Sequence, residues 1–212
     1  MSVCYIIGAG ENFGLDFALK KDDFLIAVDG GLNYLDKNIK IDLFVGDLDS
    51  CKNLDNFFIK EKKILKCEKN ETDTFVAIDE GIKKGYKKFH IYCCTGFRTD
   101  HTFANIQILS YLAKKKIKGF VIDKNFIITA INNSSVNFDK KCKGYISIFS
   151  YSNKSTGVFI EGLKYEVQNF KINNFFPIGI SNEFIGIKSK ISVKNGILLI
   201  FFPRECLTGI LF

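Results

Sequence analysis

Two aspartates that follow a short apolar segment are the first residues in this sequence whose type and spacing suggest chemistry. Asp47 and Asp49 belong to residues 46–50 (GDLDS), which come directly after a strand predicted at residues 43–45. The glycine before them allows the chain to turn, so both carboxylates can converge. Oxygen ligands in this arrangement suit Mg²⁺, which commonly takes one or two carboxylates together with substrate phosphates. The alternative is that Asp49 or Ser50 caps the segment that follows.

Three more polar segments stand in the same position relative to a predicted strand. Strands predicted at residues 24–28, 63–67 and 89–93 are followed by residues 29–31 (DGG), 71–73 (ETD) and 95–101 (TGFRTDH). In open α/β sheets, ligands bind beyond the carboxyl ends of the strands. The four segments are therefore predicted to line one edge of a sheet. Taken alone, Thr72 or Asp73 is also an ordinary helix cap.

The segment that contains Arg98 is the most informative of the four. Only Arg98 and Arg204 are arginines among 30 basic residues, and Arg98 precedes Asp100 and His101. A guanidinium is always charged and can bind two oxygens at once, which is what polyphosphate recognition needs. The alternatives are a surface pair between Arg98 and Asp100, and a capping or packing role for His101.

A glycine-rich turn near the N-terminus supports a different hypothesis. Gly8, Gly10 and Gly14, with Asp29 further on, resemble a dinucleotide fingerprint, although the GxGxxxG spacing is one residue longer than the standard form. A nicotinamide-dependent oxidoreductase is therefore the first alternative. It does not explain the carboxylates that follow the later strands.

The elements that must position these residues alternate along the first 125 residues. Strands are predicted at residues 3–7, 24–28, 43–45, 63–67, 89–93 and 120–122, and helices at 13–19, 31–38, 54–60, 74–84 and 102–115. This alternation predicts an α/β fold with a mostly parallel sheet and helices on both faces.

The pattern of residue types along the sequence changes after residue 125. Short β-rich segments separated by Asn, Gly, Ser and Lys replace the alternating pattern, and they predict a C-terminal antiparallel β-sandwich or barrel. The predicted domains are therefore residues 1–125, which carry the nucleotide and metal residues, and residues 126–212.

Composition restricts the class of protein. The 212 residues are 47% hydrophobic and 25% charged, which is typical of a folded globular protein. The net charge of +7 comes mainly from scattered lysines, so no nucleic-acid partner is predicted, and a basic RNA-binding module is the second alternative.

No apolar segment is long enough to cross a bilayer and no secretory signal is evident, which predicts a cytoplasmic protein without a membrane partner. The seven cysteines fit neither a zinc site nor a disulfide framework.

Taken in order, these segments resemble the thiamine pyrophosphokinase family. The matching segments are AVDGG (27–31), VGDLDS (45–50), KNETD (69–73), RTDH (98–101) with Asn105, GLKYEV (162–167), GISNEF (179–184) and NGILLIFF (195–202). The resemblance implies ATP-dependent transfer of a pyrophosphoryl group to the hydroxyethyl oxygen of thiamine, giving thiamine diphosphate and AMP. It also implies a homodimer whose active sites lie between subunits.

The resemblance further implies roles for individual residues in the N-terminal domain. Asp47 and Asp49 correspond to Mg²⁺ ligands, and Asp73 completes the metal and phosphate environment. Arg98 and Asp100 correspond to residues at the transferred phosphates. The nucleotide side is formed by Asp29, Gly30, Gly31, Thr72 and Asn105.

The resemblance also implies which residues bind thiamine, the acceptor of the pyrophosphoryl group. Ser181 and Asn182, in the β-rich domain, correspond to positions that face thiamine. Two residues depart from the family pattern: Asn70 stands where an acid is common, and Phe97 where glycine is common before the arginine. The group that accepts the hydroxyl proton is left open between Asp73 and Asp100.

Overall fold

The computed structural model describes residues 2–47, 54–66 and 70–211, and these residues form two compact units. The first unit contains the described residues through Ile108 together with Val121–Asp123. The second contains Leu109–Phe120 and the described residues from Lys124 onward.

A parallel sheet forms the centre of the first unit. Its strands are β1 (Cys4–Ile7), β2 (Phe24–Val28), β3 (Lys40–Gly46), β4 (Phe58–Ile64) and β5 (Lys88–Tyr92). They lie in the order β5-β1-β2-β3-β4, and all neighbours are parallel. Every residue of β1 and β2 is buried, which explains why these strands are continuous apolar segments in the sequence.

Two α-helices begin on this unit, α1 (Asp73–Lys83) and α2 (Thr99–Lys114). The Thr72 hydroxyl caps α1, because its Oγ1 accepts a hydrogen bond from the backbone N–H of Phe75 at 3.2 Å. Ala77 and Ile78 of α1 are buried, and the helix packs against β1, β2 and β3.

Three of the predicted helices are not α-helices in the structure. Residues 13–19 form no helix, since Gly14 has φ of +97°, outside the helical region. Asp29–Tyr34 and Leu54–Asn56 form short 3-10 helices instead. The strand predicted at 63–67 begins earlier, as β4, because exposed charged side chains at the sheet edge interrupt its apolar pattern.

The second unit is built from antiparallel strands. After β6 (Lys118–Ile122) come β7 (Phe126–Asn132), β8 (Ser135–Phe138), β9 (Tyr145–Ser150), β10 (Lys154–Glu161), β11 (Val167–Asn173), β12 (Asn182–Glu183), β13 (Ser189–Asn195), β14 (Ile197–Pro203) and β15 (Ile210–Leu211). One set of strands pairs in the order β12-β9-β14-β7, and the other in the order β11-β10-β13-β8-β15. A 3-10 helix, Arg204–Gly209, precedes β15.

Aromatic side chains join these two sheets. The ring of Phe138 on β8 lies 5.3 Å from the rings of Phe184 and Phe202, and Phe202 belongs to β14 of the other sheet. The predicted fold class, a mostly parallel sheet with helices followed by an antiparallel β-sandwich, is therefore confirmed. The domain limits 1–125 and 126–212 stay a prediction. None of the helices in the described parts of the chain is long and apolar enough to cross a membrane.

Candidate active site

A cavity of about 450 Å³ lies at the carboxyl ends of the parallel strands in the first unit. Five of the residues that the sequence singled out line it: Asp29, Thr72, Asp73, Arg98 and Asn105. They follow three different strands, β2, β4 and β5, and the parallel sheet brings them together because its strands end on the same side.

The glycine-rich turn after β1 is packed against backbone. The N–H of Gly8 donates to the carbonyl of Tyr92 at 2.9 Å, and the N–H of Gly10 donates to that of Cys93 at 2.6 Å. A Cβ atom at Gly10 would lie 2.5 Å from the carbonyl oxygen of Thr95, so only glycine fits. Both N–H groups are thus used within the protein, and the turn does not offer them to a dinucleotide pyrophosphate.

Gly31 meets a similar restriction, since a Cβ there would lie 2.2 Å from the carbonyl oxygen of Ile7. Gly30, by contrast, meets only the side chain of Ala9, at 3.5 Å from an added Cβ. Of these two predicted nucleotide-side residues, Gly31 therefore has a packing requirement that is independent of any ligand.

Three carboxylates from separate segments come together beside the cavity. The side chain of Asp29, directly after β2, is hydrogen-bonded to that of Asp73 and accepts a hydrogen bond from the backbone of Asp47. Burial is the main cause that raises the pKa of Asp29 to about 7, followed by the charge of Asp73 and the hydrogen bond to it, and then by the charge of Asp47. The backbone hydrogen bond from Asp47 acts in the opposite direction.

Asp29 is predicted on the nucleotide side. In the structure it contacts Asp47 and Asp73, the two predicted metal ligands that lie among the described residues. Gly46, at the end of β3, makes this possible, since a Cβ there would collide with Oδ1 of Asp29. Asp49, predicted as a metal ligand, lies outside the described residues. Within the described ranges, no group of three or more His, Cys, Asp or Glu side chains has a geometry that could hold a metal ion.

Arg98 and Asp100 form an ion pair beside the cavity. Nε of Arg98 lies 3.2 Å from Oδ1 of Asp100, and Nη2 lies 2.7 Å from Oδ2. The two side chains are 68% and 65% exposed. The hydrogen bonds from Arg98 are the main cause that lowers the pKa of Asp100 below its usual value. Oδ1 of Asp100 also accepts the backbone N–H of His101 at 3.0 Å, within the first turn of α2.

The loop before Arg98 keeps a backbone conformation that favours glycine. Phe97 has φ of +37° and a side chain that is 77% exposed. The phenylalanine that replaces the glycine common in the resembling family thus occupies a left-handed conformation and gains no burial from it. The loop is also tied to α2, because Nδ2 of the buried Asn105 donates to the carbonyl of Cys94 at 2.7 Å.

Some residues that line the cavity have no role at this site in the sequence-based prediction. Ala9 is not singled out, Gly10 is named only for the dinucleotide alternative, and Thr95, Phe97 and the exposed His101 are named only within the segment 95–101 or for other roles. Ala9 and Gly10 lie two and three residues after the end of β1, and the rule that pointed to the other strand ends could have found them.

The second unit holds the other two predicted site residues. Asn182 lines an apolar cavity of about 280 Å³ together with Ile160, Tyr165, Val167, Phe170, Ile172, Ile178, Gly179 and Ile180. Ser181 is exposed, has φ of +58°, and donates its backbone N–H to Oγ of Ser147 at 3.0 Å. The roles of these site residues, in both units, stay predictions.

A parallel sheet whose strand ends gather carboxylates and an arginine, followed by antiparallel sheets, is the arrangement of an α/β protein with a second, β-rich unit and a site suited to anionic ligands such as phosphates. Comparison with known proteins narrows this class. Residues 15–121 match the family model described as the thiamin pyrophosphokinase catalytic domain, and residues 133–198 match the model described as the thiamin pyrophosphokinase vitamin B1 binding domain.

Individual relatives agree with the family models. The chain is 32% identical over 181 residues to a thiamine pyrophosphokinase of Bacillus subtilis, an alignment that covers 82% of this chain and 84% of the relative. The crystal structure of thiamine pyrophosphokinase from Bacillus subtilis has a TM-score of 0.83 at 26% identity and covers 97% of this chain and 100% of that one. Thiamin pyrophosphokinase from Candida albicans shares the fold, with a TM-score of 0.76 at 18% identity over 95% of this chain and 88% of that one.

The chain belongs to the thiamine pyrophosphokinase family. The predicted family, enzyme class and reaction are confirmed: the protein is a pyrophosphotransferase that uses ATP and acts on thiamine. Neither the nicotinamide-dependent oxidoreductase nor the RNA-binding module is supported by these comparisons.

Proposed function

We propose that the cavity at the strand ends of the first unit binds ATP and directs transfer of its terminal pyrophosphoryl group to thiamine. The observation that carries this proposal is the convergence of Asp29, Thr72, Asp73, Arg98 and Asn105 on one cavity. Transfer to an alcohol requires mainly alignment of the nucleophile and leaving group, with neutralisation of charge on the phosphate oxygens. Attack on the β-phosphorus makes AMP the leaving group.

We propose Mg²⁺ as the cation of this site, held by Asp47, Asp49 and Asp73. The half-buried carboxyl of Asp29 supports a cation here, because burial, followed by the charges of Asp73 and Asp47, raises its pKa to about 7, and a bound cation would favour the ionised form. The donors are oxygens, which suits a hard cation. Mg²⁺, when bound, would neutralise charge on the phosphate oxygens. Asp29 would act on the metal side, through its contacts with Asp47 and Asp73, as well as on the nucleotide side.

Arg98 would hold the transferred phosphates. Its planar group offers two parallel donors to phosphate oxygens, and Asp100 keeps it oriented through two hydrogen bonds. The same ion pair lowers the pKa of Asp100, which makes it a weak base. We therefore favour Asp73 over Asp100 as the group that accepts the hydroxyl proton, if the loose transition state requires a base.

The apolar cavity of the second unit is proposed as the thiamine side. Thiamine carries an aromatic pyrimidine and a cationic thiazolium ring. A cavity with apolar walls and the aromatic side chains of Tyr165 and Phe170 suits both rings, by stacking and by cation–π attraction. Ser181 has an exposed hydroxyl next to this cavity and could bind a polar edge of the substrate. This assignment agrees with the proposed division of labour between residues 1–125 and 126–212.

A homodimer with active sites between subunits is proposed from the surface of the second unit. The exposed large apolar side chains there include five that are close in the sequence: Phe175, Phe176, Ile180, Ile185 and Ile187. Large apolar side chains that stay exposed in number are typical of an interaction surface. Light scattering should give the mass of a dimer, and Phe175→Asp with Phe176→Asp should give monomers with little turnover. A fully active wild-type monomer would contradict the proposal.

The cytoplasmic location also remains a proposal. The described cysteines, Cys4, Cys93, Cys94, Cys142 and Cys206, are free and buried. Buried free thiols are typical of proteins in a reducing compartment, which supports the cytoplasm.

The proposed function is tested directly by incubating the protein with thiamine, ATP and Mg²⁺ and analysing the products. Thiamine diphosphate and AMP should appear in equal amounts, and a chelator should stop the reaction until excess Mg²⁺ is added. Formation of thiamine monophosphate and ADP would contradict attack on the β-phosphorus. Turnover that persists at full rate in the chelator would remove the metal from the proposal.

A further inference from the structure

The side-chain amide of Asn182 binds the backbone of Tyr165 at two points. Oδ1 of Asn182 accepts the backbone N–H of Tyr165 at 3.0 Å, and Nδ2 donates to the carbonyl oxygen of Tyr165 at 2.7 Å. Oδ1 also accepts the backbone N–H of Glu183 at 2.8 Å. The amide thus pairs with Tyr165 as a neighbouring β-strand would, although the two residues are 17 positions apart in the sequence.

The rest of the turn around Tyr165 is fixed by other contacts. The N–H of Gly162 donates to Oε1 of Glu166 at 2.6 Å, and the N–H of Lys164 donates to the carbonyl of Glu183 at 3.0 Å. Nζ of Lys164 lies 2.8 Å from Oε2 of Glu183. The residues on either side of Tyr165 are therefore held independently of Asn182, and the Asn182 amide holds the backbone of Tyr165 itself.

The exposure of the two partners indicates what this contact does. Asn182 is only 5% exposed, and its oxygen already accepts two hydrogen bonds. Tyr165 is 61% exposed, and it lines the apolar cavity of the second unit. The amide of Asn182 thus binds backbone atoms, whereas the exposed side chain of Tyr165 is accessible to a ligand.

We infer that Asn182 is a positioning residue, which holds the Tyr165 backbone so that the tyrosine ring forms one wall of the thiamine-side cavity. The inference rests on the proposed function for the identity of the ligand, but the contact between Asn182 and Tyr165 does not depend on it. Thiamine would contact the ring of Tyr165, and Asn182 would influence thiamine through Tyr165. Loss of the Asn182 side chain would leave the binding of ATP unaffected.

The sequence contains no tryptophan, so Tyr165→Trp provides a single fluorescent reporter at this position. In the protein without substrate, Asn182→Ala in the Tyr165→Trp background should lower the fluorescence anisotropy of the indole, because the backbone that holds it loses two hydrogen bonds. Asn182→Asp keeps the accepting oxygens but loses the Nδ2 donor, and it should give an intermediate decrease. Ser181→Ala is the matched control at the exposed neighbour and should leave the anisotropy unchanged.

Kinetics supply the second readout. In the otherwise unaltered protein, Asn182→Ala should raise the KM for thiamine about tenfold or more and leave the KM for ATP within about twofold, with Asn182→Asp again between the two. Unchanged anisotropy together with a raised thiamine KM would overturn the inference and make Asn182 a direct ligand. Unchanged values of both would overturn it as well. Circular dichroism at the assay temperature identifies any variant that fails to fold, and Asn182→Asp then carries the test.

The same reporter separates this inference from the proposed function. If added thiamine leaves the fluorescence of the Tyr165→Trp protein unchanged at concentrations that support full turnover, the thiamine side has been assigned to the wrong cavity. The anisotropy change in the substrate-free variants would still decide whether Asn182 positions residue 165.

Discussion

Arg98 and Asp100 form a two-point ion pair, with Nε and Nη2 of the guanidinium bound to separate oxygens of the carboxylate at 3.2 and 2.7 Å. Both side chains are largely exposed, so the pair adds little to the stability of the fold. Its effect is geometric: Asp100 belongs to the first turn of α2 and fixes the plane of an arginine that lines the cavity. Orientation of the guanidinium is thus separable from folding.

Arg98→Lys should therefore lower kcat by about 10²-fold, the usual scale for loss of one electrostatic group at a transition state. Lysine keeps the charge but loses the planar fork that binds two oxygens. The melting temperature should stay within about 1 °C of the wild type, because the ion pair is exposed. Arg204→Lys, at the other arginine of the chain, is the matched control and should retain full kcat. Equal kcat in the wild type and Arg98→Lys would reduce Arg98 to a surface residue.

Asp47→Asn should remove most of the response to Mg²⁺. We expect kcat to fall by about 10²-fold or more and the Mg²⁺ affinity, measured calorimetrically with the metal alone, to weaken at least tenfold. The sequence predicts the same result for Asp49→Asn. Asp55→Asn is the control, since Asp55 is exposed and pairs only loosely with Lys62 at 3.7 Å. Near-normal metal binding in both site variants would refute the metal assignment.

Phe97→Gly should stabilise the protein. Phe97 has φ of +37°, a conformation that costs a residue with a Cβ about 1–2 kcal/mol. Glycine removes this strain but loses about 0.5–1 kcal/mol through the greater freedom of its unfolded chain. The expected net gain in the free energy of unfolding, measured by urea denaturation, lies between about 0 and 1.5 kcal/mol and is centred on about 0.75 kcal/mol. Phe97→Ala keeps the Cβ and should show no such gain. A gain of equal size in both variants would mean that the exposed ring, and not the backbone, causes the strain.

His90→Phe should change how stability depends on pH. Burial is the main cause that lowers the pKa of His90 to about 3, and the charge of Lys88 adds to it. Between about pH 6.5 and pH 3 the unfolded chain binds a proton at this residue that the folded protein does not, so wild-type stability falls as the pH falls.

In His90→Phe this loss should be absent, and the difference in free energy of unfolding should grow in favour of the variant by up to about 5 kcal/mol across that pH range. The neighbouring Tyr5 ring, 5.4 Å away, can also pack against phenylalanine. Protonation of carboxylates changes the stability of the wild type and of His90→Phe alike, so it cancels in the difference between their free energies of unfolding. Denaturation curves with equal pH dependence would show that His90 is protonated as readily in the folded state.

The fold could be predicted where burial alone shapes the sequence. β1 and β2 are buried throughout and stand out as apolar segments, whereas β4 carries four consecutive charged residues, 60–63, at a sheet edge and is predicted only in part. Gly14, with its positive φ, prevents the helix that the apolar spacing at 13–19 suggested.

The candidate site shows the same limit. The rule that ligands bind at strand ends predicted that Asp29 and Asp73 would share one edge, because it depends only on the order of strands. The contact between Asn182 and Tyr165 could not be predicted, since it joins a side chain to backbone atoms that are the same in every residue type.

Tyr165→Ala should separate the two substrates kinetically. If the tyrosine ring forms a wall of the thiamine-side cavity, its removal takes away an interaction made equally in the ground and transition states with one substrate. The KM for thiamine should then rise about tenfold, while kcat and the KM for ATP change by less than about twofold. Tyr145→Ala is the matched control, because Tyr145 is equally exposed, at 60%, and does not line this cavity. A raised KM for ATP with an unchanged KM for thiamine would move the thiamine site to the loops of the first unit.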